Sequence, residues 1–407
     1  LEGSVMVLGA PLKKGERLIV REGKRAPLEV TRKAAFDLAL GEDASAEEVD
    51  GSTIPPSWEI VSREIASHKE PVTVVVMGGI DSGKSSFCVY LANNALEGRR
   101  RVAVIDEDLG QSDIGPPSTI GFSRVTTPIK DLFEMKAENA IFVGLTSPSW
   151  AVSRVLEGLA RLKDAVSGAD VDILIVNTDG WIDGEDAATY KAQLVERLAP
   201  YLVVGIQQER ELEPILTLLE EAKIFTVNSP PAIRGRSREK RKILRELGYK
   251  KYLKDARVLA FSLKRVMVEG APLGSGVPPT EEQMDRIKVV LGESPVYCED
   301  ALGAVLIVLR ENRRIGEDQL LRIEESLGKR VKVVREGEEK GLLVALKDAQ
   351  GNFLGIGVLL EIDYGKGAMK VYTPVSRGVS TVCIGQMKLD RNGREVGLSP
   401  VFADHPP

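Results

Sequence analysis

The stretch between residues 72 and 86 constrains the fold of this chain more than any other. Residues 72–77 are apolar except for one threonine, which predicts a buried strand, and residues 85–95 predict a helix. The turn between them fits the pattern G-x-x-x-x-G-K-[ST] through Gly78, Gly83, Lys84 and Ser85. In such a turn, backbone N–H groups and the positive end of a helix surround a phosphate. A structural glycine turn is the alternative.

The chemistry of this turn predicts ATP and Mg²⁺ as cofactors. Lys84 is expected to reach the β- and γ-phosphates, and the Ser85 hydroxyl to complete the Mg²⁺ shell. The predicted cofactor-binding residues are Gly78, Gly79, Ile80, Asp81, Ser82, Gly83, Lys84, Ser85 and Ser86.

Composition excludes several classes of protein. The 407 residues suggest two or three domains, and no apolar run reaches the length of a membrane span, so no membrane partner is expected. Three scattered cysteines predict neither a disulfide framework nor a zinc site, and the expected compartment is the cytoplasm. With a formal net charge of −5, nucleic acid can be bound only by a local basic patch.

The order of predicted elements indicates an α/β protein with three domains. Residues 1–68 are predicted to form a small β domain, with strands at 4–8, 17–21, 28–31 and 36–40 and an extended connector at 53–58. In residues 69–254 strands alternate with helices, which predicts a parallel sheet covered on both faces. Residues 255–407 are predicted to be mainly β, with one helix near 317–327.

Two aspartates follow the second strand of the predicted parallel sheet. Asp106 and Asp108 lie two residues apart and therefore leave the strand end on the same side. Ligands of such sheets bind at the carboxyl ends of the strands, so this side is expected to face Lys84 and Ser85. One carboxylate could hold Mg²⁺ while the other accepts a proton from an attacking hydroxyl. A solvated strand end is the alternative.

A later strand is followed by Thr178, Gly180 and Trp181. The Asn-Lys-x-Asp motif that reads guanine is absent, because threonine replaces the lysine and the aspartate comes one residue early. Thr178 is a candidate phosphate contact, and Trp181 could stack on a base. A tryptophan that packs only within the protein is the competing interpretation.

Residues 234–245 form a dense basic segment with helical character. Arg241 and Arg245 are four residues apart, and Arg236 lies just before them. Guanidinium groups above a transferring phosphoryl group would stabilise its charge. A solvated helix face is the alternative.

In combination, these motifs resemble the P-loop polynucleotide 5′-hydroxyl-kinase family of the Clp/Grc type, which includes the mRNA cleavage-factor kinase and the pre-rRNA-processing kinase. The resemblance implies a kinase domain between an N-terminal and a C-terminal β domain. It also implies that Asp108 is the base that activates the 5′-hydroxyl, with Asp106 on the metal side. The other implied positions are Gln111 beside these aspartates, Thr178 and Trp181 in a clasp around the terminal nucleotide, and Arg236, Arg241 and Arg245 in a lid.

The expected function is therefore ATP-dependent phosphorylation of the 5′-hydroxyl end of RNA, with DNA left open as a second substrate. RNA-processing proteins are expected as partners. An ATP-binding scaffold with little catalysis is the main alternative. A GTPase or partitioning ATPase is disfavoured by the missing guanine motif.

Overall fold

The computed structural model describes residues 4–167, 170–219, 221–301, 303–399 and 401–402. The chain divides into two compact units, residues 1–248 and residues 249–407. None of the helices in these described ranges is long and apolar enough to cross a membrane.

The first unit begins with a small antiparallel sheet in which β1 pairs with both β2 and β3. Its strands are β1 (Val5–Val7), β2 (Ala10–Pro11) and β3 (Glu29–Val30). The strands predicted at 17–21 and 36–40 are wrong, because these segments pair with no neighbouring strand and are largely exposed. An exposed segment buries no apolar face by pairing as a strand, and water can satisfy its backbone groups.

The predicted connector at 53–58 is wrong in its second half, since helix α1 (Pro56–Ser67) begins there. Pro56 is the first helical residue, a position where the missing N–H of proline costs nothing. Trp58 on this helix is fully buried, and its ring lies edge-on to Phe87 at 5.2 Å. Trp58 therefore packs within the protein.

A mixed sheet forms the centre of the first unit, in the order β10-β9-β4-β8-β5-β6-β7. Its strands are β4 (Val72–Gly78), β5 (Val102–Asp106), β6 (Thr119–Val125), β7 (Asn139–Phe142), β8 (Ile173–Asn177), β9 (Leu202–Gln207) and β10 (Ile224–Asn228).

The predicted parallel pairing is confirmed for β4, β5, β8, β9 and β10. It is wrong at one edge, where the unpredicted strand β6 runs antiparallel to β5, and β7 runs antiparallel to β6. No helix intervenes between β5 and β6, so the chain returns beside β5 in the opposite direction.

Both faces of this sheet are covered, because alternate residues of its strands point to opposite sides. Val74 and Val104 join one core with Phe87, whereas Val75 and Ile105 join another. The remaining helices of this unit are α2 (Lys84–Glu97), α3 (Val152–Ser167), α4 (Glu185–Leu198), α5 (Glu213–Leu216) and α6 (Arg238–Tyr252). Helix α6 runs past residue 248. Two 3₁₀ turns lie at Leu132–Glu134 and Pro148–Trp150.

The second unit is mainly β. One sheet has the order β11-β18-β17-β16-β19-β12, with β20 beside β19, and a smaller sheet has the order β13-β14-β15. The helix predicted at 317–327 is confirmed as α8, whereas α7 was not predicted. The elements are β11 (Arg257–Ser262), β12 (Met267–Glu269), α7 (Glu281–Leu291), β13 (Tyr297–Ala301), β14 (Ala304–Leu309), α8 (Glu317–Leu327), β15 (Val331–Arg335), β16 (Leu342–Lys347), β17 (Phe353–Asp363), β18 (Ala368–Thr373), β19 (Thr381–Leu389) and β20 (Glu395–Leu398).

Candidate active site

The glycine-rich loop joins β4 to α2, as its pattern predicts. Gly78 ends the strand, and a Cβ at this position would lie 2.7 Å from the carbonyl oxygen of Ile206. Gly83 caps the helix with a φ of +104°, a backbone conformation that other residues rarely adopt. Both positions therefore require glycine, and the free N–H groups of the first turn of α2 face the loop.

Lys84 is the first residue of α2 and is almost fully buried. Its Nζ donates to the carbonyl oxygens of Gly78 at 2.9 Å and Gly79 at 2.7 Å. Burial lowers the pKa of Lys84, and the nearby carboxylate of Asp108 opposes that change. The ammonium group is thus held at the loop, where an anion would offset its lost hydration.

The loop also contains a buried polar group without a partner. Among the described residues, no group forms a hydrogen bond with the buried Ser82 Oγ. A buried hydroxyl without a hydrogen bond lowers the stability of the protein. A phosphate oxygen of ATP could accept a hydrogen bond from Ser82 Oγ. Neighbouring Ile80 is 59% exposed, and Ser86 lies in the first turn of α2. The residues present therefore fit a bound triphosphate.

Asp106 ends β5 and is completely buried. Its Oδ2 accepts from the backbone N–H groups of Asp113 at 2.6 Å and Ile114 at 3.2 Å. Its Oδ1 accepts from Asn177 Nδ2 at 2.8 Å. Burial, followed by the charges of Asp113 and Asp108, raises the pKa of Asp106 to about 7.

Asn177 links Asp106 to the glycine-rich loop, and sequence reasoning gave it no role. It ends β8, and the parallel register places it directly opposite Asp106. Its Nδ2 also lies 3.4 Å from Ser85 Oγ. Its position in the sequence could have indicated this role. Asn177 immediately precedes Thr178, and it ends its strand at the same sheet edge as Asp106.

Ser85 and Asp106 offer oxygen atoms, which suit a hard cation such as Mg²⁺. Within the described ranges, no group of three or more histidine, cysteine or acidic residues is arranged to hold a metal. Mg²⁺ needs no such cage, because it is commonly held by one or two protein oxygens together with phosphates and waters. The donor set is therefore suitable for a metal that arrives with a nucleotide.

Asp108 lies just beyond the strand, and its carboxylate is only half held. Its Oδ1 accepts from the N–H groups of Gly110 at 3.2 Å and Gln111 at 2.9 Å, while no described group donates to its Oδ2. Burial raises the pKa of Asp108, and Lys84 partly counteracts this effect. One oxygen of a carboxylate with raised basicity is therefore available to accept a proton.

Two of the three predicted lid arginines, Arg236 and Arg241, approach the glycine-rich loop through Asp81. Arg236 donates to Asp81 from its backbone N–H at 2.7 Å and from Nε at 2.6 Å. Arg241 Nη1 lies 3.8 Å from the same carboxylate and donates to the carbonyl oxygen of Arg236 at 3.0 Å. Residues 234–245, here called the lid, thus contact the predicted phosphate site.

Gln111 joins the aspartate loop to the lid. Its Nε2 donates to the carbonyl oxygens of Gly110 at 2.6 Å and Arg241 at 3.1 Å. Arg245 lies one turn further along α6 and is partly buried. The structure therefore brings Gln111, Arg236 and Arg241 together beside Asp108 and Asp81.

The loop after β8 lies against the glycine-rich loop. A Cβ at Gly180 would lie 2.9 Å from both the N and Cα atoms of Ile80, so only glycine permits this approach. Thr178 is fully buried beneath the loop, where its hydroxyl donates to the carbonyl oxygen of Val76 at 2.9 Å. Trp181 is partly exposed and stacks on Tyr190 with ring centroids 5.6 Å apart. We call residues 178–182 the clasp loop.

A buried network, which sequence reasoning missed, supports the clasp loop. Tyr190 OH donates to Glu107 Oε1 at 2.6 Å and lies 3.1 Å from Asp179 Oδ2. Lys191 Nζ donates to Asp179 Oδ2 at 2.6 Å, and the N–H of Asp179 donates to Glu107 Oε2 at 2.8 Å. All four residues are at most 5% exposed. Side chains alternate along a strand end, so Glu107 is expected to point away from Asp106 and Asp108. This alternation is the sequence feature that could have predicted a separate role for Glu107.

The charges of this network are compensated inside the protein. Burial, followed by the charge of Asp179, raises the pKa of Glu107 well above its ordinary value. Burial alone would raise the pKa of Asp179 as well, but Lys191 holds it below the ordinary value. The network thus consists of one buried ion pair, Lys191 with Asp179, beside a second carboxyl group whose burial makes its negative charge costly.

Comparisons with known proteins find similarity to RNA-processing factors and RNA kinases. Residues 78–255 match the family model described as mRNA cleavage and polyadenylation factor CLP1 P-loop. The chain is 28% identical over 340 residues to a polyribonucleotide 5′-hydroxyl-kinase of Methanocaldococcus jannaschii, covering 82% of this chain and 91% of that protein. It is 29% identical over 354 residues to a kinase of the same name from Pyrococcus abyssi, covering 85% and 95%.

A solved structure shares the fold of this chain. Clp1p in the wild-type Clp1p–Pcf11p (454–563) complex superimposes with a TM-score of 0.59 at 13% identity, covering 95% of this chain and 91% of that one. The glycine-rich loop, the Asp106–Asp108 loop and the lid all lie within the matched residues 78–255. Residues 78–255, which hold the candidate active site, are therefore similar to the CLP1 P-loop family.

Proposed function

We propose that this protein is an ATP-dependent kinase that phosphorylates the 5′-hydroxyl end of RNA. The observation that carries the proposal is the meeting of Lys84, Asp108 and the Ser85–Asn177–Asp106 chain at one edge of the sheet. The names of the archaeal relatives support the same activity and indicate RNA as the acceptor. DNA ends are a second acceptor to be compared with RNA.

In this proposal Asp108 is the general base. Its Oδ2, to which no described group donates, takes the proton of the 5′-hydroxyl. The hydroxyl oxygen attacks the γ-phosphorus of ATP in line, and ADP leaves. Lys84 and the N–H groups at the start of α2 stabilise the charge on the phosphates. Ser85 and Asp106 would hold Mg²⁺, which neutralises phosphate charge when it is bound.

The acceptor strand is proposed to enter between the clasp loop and the lid. Trp181 offers a partly exposed ring for the terminal base, and stacking tolerates any base. Thr178 supports this loop from below, and Gln111 is proposed to contact the acceptor beside Asp108. Arg236, Arg241 and Arg245 are proposed to stabilise the transferring phosphoryl group once Asp81 no longer holds the first two.

The cellular setting is also a proposal. The three cysteines are free and buried, which suits a reducing compartment such as the cytoplasm. Clp1p is bound to Pcf11p in its solved structure, and by analogy we propose an RNA-processing protein as a partner of this chain.

The proposal is tested by transfer of radiolabelled γ-phosphate from ATP to a 20-nucleotide RNA with a 5′-hydroxyl. The same RNA with a 5′-phosphate is the control, because it has no free 5′-hydroxyl to accept the phosphate. A DNA of matched sequence measures the preference for ribose over deoxyribose. We expect labelling of the 5′-hydroxyl RNA that requires Mg²⁺ and is lost in Lys84→Met. Binding of ATP without any transfer would instead identify a scaffold.

A further inference from the structure

Two segments far apart in the sequence concentrate the positive charge of the chain. Residues 13–33, here called the arm, contain eight lysines and arginines against three glutamates. The lid contains seven lysines and arginines against one glutamate. With +5 in the arm and +6 in the lid, the rest of a chain of net charge −5 carries −16. Such a contrast favours a polyanionic ligand at these two segments.

The arm is anchored beside the candidate active site. Arg21 Nη2 lies 2.9 Å from Asp113 Oδ1 and 2.6 Å from Asp131, and Lys24 Nζ lies 2.8 Å from Asp113 Oδ2. The backbone N–H of Asp113 donates to Asp106. Two arm cations are therefore used to attach the arm to the aspartate loop.

The arm also contacts the lid, although more than 200 residues separate them. Arg25 Nη1 donates to the carbonyl oxygen of Ala232, two residues before the lid, at 3.2 Å. A Cβ at Gly23 would lie 3.7 Å from Lys240 Cβ and from Leu244 Cδ1. The two basic segments are thus neighbours, and together they border the predicted acceptor site.

Many of these cations remain available to a ligand. The following side chains are exposed and make no ion pair within the described part of the chain: Lys14, Arg17, Arg25, Arg32 and Lys33 in the arm, and Arg234, Arg238 and Lys240 in the lid. A nucleotide held by the glycine-rich loop does not need them. A strand with one phosphate per nucleotide supplies enough charges to engage them in series.

We propose that the arm and the lid form a track for the backbone phosphates of the substrate strand, beyond its 5′-terminal nucleotide. The inference rests on the proposed kinase function, because the track leads away from the site of that reaction. It predicts that the arm contributes to affinity for long acceptors and not to chemistry at the 5′ end. An acidic protein segment is the competing ligand.

The test removes three exposed arm cations with no described ion pair or side-chain hydrogen bond, in the variant Lys14→Gln/Arg17→Gln/Arg32→Gln. The matched control, Lys264→Gln/Arg265→Gln/Arg322→Gln, removes three exposed cations of the second unit. Binding of a 20-nucleotide 5′-hydroxyl RNA is measured by fluorescence anisotropy without ATP, over a range of salt concentrations. KM values are then measured for ATP, for that RNA and for a 5′-hydroxyl dinucleotide.

For the arm variant we expect the Kd of the 20-mer to rise about tenfold or more. The slope of log affinity against log salt concentration should become shallower by about 2, because each of three lost phosphate contacts contributes roughly 0.7 to that slope. KM for ATP and for the dinucleotide, and kcat, should match the control. An equal change in both variants would overturn the track, as would a rise in KM for ATP. Displacement of the RNA by polyglutamate at equal charge would assign the surface to acidic proteins instead.

This binding measurement is independent of phosphoryl transfer. If the wild-type protein binds RNA through the arm but transfers no phosphate, the proposed function fails and the track stands. If it transfers phosphate and the arm variant binds like the control, the track fails alone.

Discussion

Three consecutive carboxyl residues, Asp106, Glu107 and Asp108, have three different surroundings. Asp106 is buried, accepts hydrogen bonds at both carboxylate oxygens, and is linked to Ser85 through Asn177. Glu107 points the other way, into the network below the clasp loop. Asp108 keeps one oxygen without a described donor. The alternation of an extended strand end would thus separate the roles that we propose for these neighbours, which are metal binding for Asp106, support for Glu107 and proton transfer for Asp108.

The buried ion pair below the clasp loop predicts a large loss of stability when Lys191 is removed. Lys191→Met leaves Asp179 buried without its cation, which costs about 3–5 kcal/mol. Urea denaturation followed by tryptophan fluorescence measures this loss, since all three tryptophans lie in the first unit. The control is Arg63→Met, which breaks an exposed ion pair with Glu59 and should cost less than about 1 kcal/mol. Equal losses in the two variants would contradict the account.

At the scale of elements, the clasp loop and the glycine-rich loop form a pair whose separation is set by glycine. Gly180 faces Ile80 so closely that a Cβ would meet its backbone. The two loops follow β8 and β4, which are neighbours in the sheet. The position of Trp181 relative to Lys84 therefore depends on this contact.

The variant Gly180→Ala should separate the two loops. Because small displacements in an active site can cost on the order of 10²-fold in rate, we expect kcat/KM for RNA to fall by roughly that factor. Gly41→Ala is the matched control, since its added Cβ meets no atom within 4 Å. Steady-state kinetics of both variants decide the matter, and an unchanged kcat/KM in Gly180→Ala would refute a role for this contact.

The sequence predicted those parts of the site that depend on local patterns. The glycine-rich loop follows from its spacing, and Asp106 and Asp108 follow from their place at a strand end. The Glu107–Tyr190 bond joins residues 83 positions apart, and no pattern marks that pairing. Likewise, the antiparallel edge strand β6 depends on a return of the chain whose direction no single residue determines.

At the scale of the whole molecule, the two units have separate hydrophobic cores. The residues that we assign to catalysis all lie in residues 1–248. Predicting this division from sequence is harder than predicting the strands, because it depends on how many contacts cross a boundary and not on any local motif.

Binding of ATP should therefore stabilise one unit alone. At a concentration of Mg·ATP one hundred times its Kd, the first unit should gain about 2.7 kcal/mol. Differential scanning calorimetry should then show one transition raised in temperature and the other unchanged. The variant Lys84→Met should lose the shift. A shift of both transitions by the same amount would contradict a nucleotide site confined to the first unit.

The central claim is that Asp108 takes the proton of the 5′-hydroxyl, and Asp108→Asn tests it most directly. Asparagine keeps the shape of the side chain but cannot act as the base, so kcat for transfer from ATP to 5′-hydroxyl RNA should fall by about 10²–10⁴. Binding of ATP should persist, and Asp183→Asn, which removes an exposed charge just beyond the clasp loop, should transfer phosphate normally. Transfer by Asp108→Asn at the wild-type rate would contradict the account.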